Sequence, residues 1–91
     1  MDGEIVHEYA VVFARSARKE LERLGEPLAS RVLRRIEALA LTPRPDGCRK
    51  LQGAANLWRI RIGDHRVLYS VDDVRLIVDV IAVRHRGDAY R

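Results

Sequence analysis

Apolar residues recur along this chain at two different spacings, and the places where the spacing changes outline the fold. At His7–Phe13 the period is two, with Tyr9, Val11 and Phe13 on one face and Ala10 and Val12 on the other, which predicts a first strand. From Ser16 the spacing becomes helical: Ala17, Leu21 and Leu24 share a face, Ser16 is placed to cap the N-terminus, and Gly25 supplies the stop. Pro27 opens a second helix, where its missing N–H costs no hydrogen bond, and Leu28, Val32, Ile36 and Leu39 form its apolar stripe until Thr42-Pro43. After the loop at Pro43–Gly47 the period returns to two. Trp58, Ile60 and Ile62 point one way and Leu57, Arg59 and Arg61 the other; Gly63-Asp64 turns the chain into a strand at His65–Val71. Asp72-Asp73 turns it again into Val74–Val83, apolar on most positions of both faces and so expected to be central.

The predicted order is β-α-α-β-β-β, an α+β fold in which an antiparallel sheet carries two N-terminal helices on one face. The other sheet face stays open, and Arg59, Arg61 and Arg66 are expected to make it cationic. Trp58 and Tyr69, large aromatics on alternating strands, read as core. With 91 residues, 47% hydrophobic and 33% charged, residues 1–91 are expected to form a single domain with a modest core. The acidic start, Met1-Asp2-Gly3-Glu4, is unlike a signal peptide, and the longest apolar run, Leu76–Val83, is interrupted by Asp79 and too short for a membrane helix. A lone Cys48 fits a reducing compartment, so a cytoplasmic protein without membrane contact is expected.

Charge adds direction to this outline. The net charge is +4, but residues 1–48 hold eight basic and eight acidic side chains, whereas residues 49–91 hold nine and five. The whole excess therefore falls in the half that contains the meander, which points to a polyanionic partner. The tail, Arg84-His85-Arg86-Gly87-Asp88-Ala89-Tyr90-Arg91, is dense in groups that bind or transform phosphates. Arg59, Arg61, Arg66 and Arg86 could surround a phosphodiester and stabilise a pentacoordinate transition state. His85 is an imidazole, the side-chain type suited to general acid/base work at neutral pH, and Tyr90 could stack on a base or handle a proton. Lys50, Arg84 and Arg91 extend the expected RNA contacts. His7 and His65 read as surface residues. Three scattered histidines and one cysteine lack metal-ligand spacing, and no Gly-rich phosphate loop precedes a helix, so neither a metal nor a cofactor is expected. A nuclease built from this set would use attack by the substrate's own 2′-hydroxyl and would act on RNA alone.

Lys50-Leu51-Gln52-Gly53, the stretch from Leu57-Trp58-Arg59-Ile60-Arg61-Ile62 through Gly63-Asp64-His65-Arg66-Val67-Leu68-Tyr69, and the closing His85-Arg86 to Tyr90-Arg91 resemble the RelE family of toxins. The resemblance spans essentially the whole chain and is most specific in residues 50–91. It implies a type II toxin: a ribosome-dependent mRNA endoribonuclease that cuts the codon in the A site, leaves a 2′,3′-cyclic phosphate and is neutralised by a cognate antitoxin. Ribosome, mRNA and antitoxin are the implied partners, with promoter DNA reached only through the antitoxin complex. Carried over by position, the family's basic strand residues fall on Arg59 and Arg61, its next arginine on Arg66, its tail arginine on Arg86 and its tyrosine on Tyr90. Well-known members have lysines where this chain has Arg59 and Arg61. Because arginine is a poor base, removal of the 2′-hydroxyl proton is expected of His85 or Tyr90. Two alternatives remain open at this point: a ParE-like toxin that binds DNA gyrase, and an inactive relative kept as a regulator.

Overall fold

The computed structural model describes residues 8–87, so the expectations for His7, Tyr90 and Arg91 lie outside the described residues. Strand β1 spans Ala10–Phe13, helix α1 Arg15–Glu22, and helix α2 Leu28–Glu37, which tightens into a 3-10 turn at Ala38–Ala40. A two-residue strand β2 (Arg49–Lys50) precedes β3 (Leu57–Ile62), β4 (His65–Asp72) and β5 (Ile77–His85). The strands form one sheet in the order β1-β5-β4-β3-β2.

The helical hairpin and the meander are as the periodicity predicts. The β3–β4 turn is made by Gly63 at φ +60°, where a Cβ would come within 3.1 Å of the Arg31 guanidinium reaching over from α2. Gly25, at φ +73°, ends the first helical segment from the left-handed region. One pairing differs from the antiparallel expectation: β1 runs parallel to β5, Ala10 opposite Ile77 and Phe13 opposite Val80, so the sheet is mixed. Strand periodicity is the same in either orientation. Residues this far apart in sequence need no hairpin, so nothing local favours one direction. β5 therefore has neighbours on both sides, while β4 is the middle strand.

Several element boundaries also shift. β1 begins at Ala10, with Glu8 and Tyr9 outside it, while β4 runs on to Asp72 and β5 to His85. Three further shifts have a local setting. The first turn of α1 begins one residue before Ser16; Ala14 is its N-cap, without a side-chain cap, because its own N–H is spent on the Val80 carbonyl in continuation of β1. Pro27 stands at the N-cap of α2 and Leu28 is its first helical residue. Val74 and Arg75 belong to the β4–β5 turn, because the Asp72 carboxylate accepts both of their backbone N–H groups at 3.0 and 2.9 Å.

The core lies between the helices and one sheet face. Ala17, Val32, Ile36 and Leu39 meet Ile60, Ile62, Val67, Tyr69, Val71, Val78, Val80 and Val83, all buried. Trp58 packs against this cluster, with the Arg44 guanidinium 5.2 Å from its ring centre. Tyr69 is fully buried, and its hydroxyl donates to the Pro43 carbonyl at 2.7 Å, which holds the loop after α2. Asp73 completes this edge by accepting from the Tyr9 hydroxyl at 2.6 Å and from Arg44 at 2.8 and 3.2 Å. Among the described residues no helix is long and apolar enough to cross a membrane.

Candidate nucleic-acid interface

The register of the meander decides which side chains share the sheet face opposite the helices. Ile60 and Ile62 of β3 point into the core, so Arg59 and Arg61 point away from it, as the alternation predicts. Arg61 stands opposite Arg66 on β4, and Arg66 opposite Arg84 on β5. Three arginines from three adjacent strands therefore form one row across the sheet. At about 4.8 Å per strand spacing the row spans about 10 Å at the backbone, within the reach of guanidinium groups converging on one phosphodiester. In the next row Arg59 stands between Arg49 on β2 and Leu68 on β4. Arg59 is only 6% exposed, the sole charged residue among those fully buried in the described part. Burying a guanidinium is costly unless it is engaged, and neither Arg59 nor Arg66 stands without a partner.

Arg84 joins the row because β5 carries an irregularity. Tyr69 pairs with Val80 but Leu68 with Ala82, so Ile81 is an extra residue that resets the alternation. Without it, Arg84 would fall opposite His65 on the core side. The same reset explains why β5 reads as apolar on both faces: Val78 and Val80 are core residues before it and Val83 after it. The Arg84 Nε donates to Glu20 Oε2 of α1 at 2.9 Å, a partly buried ion pair.

The other expected site residues separate. Arg86 lies in the turn after β5, exposed, and its backbone N–H donates to the Asp64 carbonyl at 2.8 Å; this ties it to the β3–β4 turn at the same end of the sheet as the row. His85 does not join the arginines. It stands opposite His65, which in turn stands opposite Ile62, so the register assigns it to the helix-bearing side. The two imidazoles meet edge to face with centroids 5.3 Å apart, and the Gly87 N–H lies 3.4 Å from His85 Nδ1. Lys50 stands opposite Trp58, on the side away from Arg59, and lines a hollow of about 480 Å³ with Leu51, Gln52 and Gly53. Its neighbour Arg49 shares the arginine face and was not singled out by sequence. The alternation within β2 would have revealed it, but a two-residue strand leaves no periodic signal. A second hollow, about 330 Å³ between α1 and α2, is lined by Leu21, Ala29 and Leu33 together with Glu22 and Glu26, whose carboxylates would repel a phosphate. Among the described residues no three His, Cys, Asp or Glu side chains are grouped so as to hold a metal ion.

A family model described as the ParE toxin of the type II toxin–antitoxin system parDE matches residues 11–90. Toxin RelE of Mycobacterium tuberculosis is 30% identical over 86 residues, 93% of this chain and 89% of that protein. Toxin RelG of the same organism is 31% identical over 84 residues, covering 91% and 97%. The crystal structure of the RelE–RelB complex from the archaeon Pyrococcus horikoshii matches with a TM-score of 0.78 at 30% identity, over 90% of this chain and 99% of that one. Fold and sequence thus converge on one class, the small toxins of type II toxin–antitoxin systems. Within that class the chain belongs to the RelE/ParE superfamily and is of the RelE type.

Proposed function

We propose that this toxin is a ribosome-dependent mRNA endoribonuclease that cleaves the codon in the A site and is neutralised by a cognate antitoxin. The observation that carries the reading is the row Arg61–Arg66–Arg84 on the sheet face opposite the helices, with Arg59 and Arg49 beside it and Arg86 at its end. Guanidinium forks fixed on adjacent strands cost little reorganisation when a phosphodiester gains charge in its transition state. In the proposed step the 2′-oxygen of the substrate attacks its own phosphorus and the bond to the 5′-oxygen breaks. A 2′,3′-cyclic phosphate remains, and the 5′-oxygen leaves as a hydroxyl by taking a proton from water, while the proton removed from the 2′-hydroxyl returns to solvent. Arg61, Arg66 and Arg86 hold the non-bridging oxygens, while Arg49 and Arg84 extend the contact to flanking RNA; Lys50, paired with Trp58, stands on the other side of the sheet.

Proton removal from the 2′-hydroxyl is assigned to Tyr90, which the family resemblance implies for this role and whose phenol can exchange a proton, whereas arginine is a poor base. His85, the other candidate, has a register that turns it from the row. Similarity to a toxin solved with its antitoxin supports a cognate antitoxin here, with promoter DNA reached only through that complex, and a cytoplasmic setting follows from action on ribosomes.

The test is expression without antitoxin, followed by mapping of mRNA ends. Growth arrest with cuts inside translated codons is expected, relieved by Arg66→Ala and Tyr90→Phe and retained by His85→Ala. Gyrase-dependent DNA damage without codon cleavage would replace this reading with a ParE-type action.

A further inference from the structure

The helical layer reaches the arginine face through Glu20, which lies on α1 where β1 stops accompanying β5. The pairing of those strands ends at Phe13–Val80, and the Ala14 N–H takes the Val80 carbonyl. Past Val80 the flank of β5 is met by α1. There Glu20 Oε1 accepts the Val83 backbone N–H at 2.8 Å while Oε2 accepts the Arg84 Nε–H at 2.9 Å. One carboxylate thus holds both the backbone just downstream of the inserted Ile81 and the guanidinium that the insertion turns onto the Arg66 side. Among the described residues only the Nε–H of Arg84 is engaged, which leaves both Nη groups, with four N–H donors, for an anion.

We propose that Glu20 is a positioning residue for Arg84 and, through it, completes an RNA-phosphate site on the arginine row; this rests on the reading of that row as the RNA-binding face. The side chains of Arg84 and Glu20 are 37% and 23% exposed, so the pair is accessible at the rim rather than sealed inside. The proposal separates from a purely electrostatic role by sign. A carboxylate beside an anion site repels the anion, so its removal should tighten binding if charge alone mattered. If Glu20 acts by aiming Arg84, its removal weakens binding.

The experiment titrates the full-length toxin with a 2′-deoxy dinucleotide, which carries one phosphodiester and cannot cyclise, and follows the arginine Nε–Hε resonances by NMR. Glu20→Gln keeps an amide oxygen for the Val83 N–H, and thermal unfolding verifies that the variant folds. The expected result is affinity weakened on the order of fivefold by Glu20→Gln, as loss of one charge-assisted contact allows, with a displaced Arg84 Nε–Hε signal. In an Arg84→Ala background the same substitution should change nothing further. Unchanged or tighter binding in Glu20→Gln, an equal loss in the Arg84→Ala background, or a wild type that does not bind the probe overturns the proposal. Failure of the nuclease reading looks different: a wild type that binds the dinucleotide, and responds as above, but leaves ribosome-bound mRNA uncut.

Discussion

Replacing Arg61 by glutamine should move activity and stability in opposite directions. Arg61 is exposed and stands directly opposite Arg66, so two like charges face each other across β3 and β4. Side chains so paired start about 5 Å apart, and like charges there are unfavourable. Two unit charges held as close as those Cβ atoms would repel by roughly 0.8 kcal/mol in water, an upper bound because the long side chains can splay apart. Screening over a Debye length of about 8 Å at physiological salt cuts this to about 0.4 kcal/mol. Arg61→Gln keeps the length of the side chain and removes the repulsion, so the variant should be more stable by up to about 0.4 kcal/mol, or up to about 2–3 °C in Tm. The same change removes a guanidinium proposed to meet the transition-state phosphate, so cleavage should fall on the order of 10²–10³-fold. Urea unfolding at low and high salt, beside single-turnover cleavage of ribosome-bound mRNA, reads both. The stability gain should shrink as salt rises. A variant less stable than wild type at low salt would mean that the row is not a site of cross-strand repulsion, and the convergence of charge would have to be abandoned.

Two further predictions concern the frame that holds the row. Ile36 is fully buried between α2 and the sheet, so Ile36→Ala should cost about 3 kcal/mol, a large share of the roughly 5–15 kcal/mol that stabilises a domain; a loss below about 1 kcal/mol in urea unfolding would contradict the core assignment. Hydrogen bonds from Arg44 first and Tyr9 second hold the Asp73 carboxyl below the usual carboxylate range. A depressed folded-state pKa stabilises above the unfolded value, about 4, and that contribution is lost as pH falls through the folded value. Wild type should therefore lose stability below about pH 4 in a segment that Asp73→Asn lacks, and identical acid profiles for the two proteins would refute the contribution.

The helical hairpin, β3, β4 and the arginine-bearing face were legible in the amino-acid sequence because each rests on a local period: helical in Leu28, Val32, Ile36 and Leu39, alternating in Trp58 to Ile62. What escaped depends on partners distant in sequence. The direction of β1 is set by β5, more than sixty residues away, and the placement of Arg84 depends on the extra residue at Ile81, which becomes an irregularity only against β4. An Asp72 side chain that captures two backbone N–H groups converts Val74 and Arg75 from strand to turn, although their composition still reads as strand. His85 looked fit for catalysis from its chemistry, and only the register shows that it and the arginines occupy opposite sides.

The pairing of β1 with β5 also bears on how the molecule comes into being. Strand β5 lies between β1 and β4, yet it is the last strand to be synthesised. Contacts closed over so long a loop form late and slowly. A nascent chain emerging amino end first can fold its hairpin of helices early, but it has neither a continuous sheet nor Arg84 and Arg86 until translation of β5 and its turn is over. The arginine row is therefore incomplete until β5 has been made, and a chain that has emerged only as far as β4 lacks the proposed site.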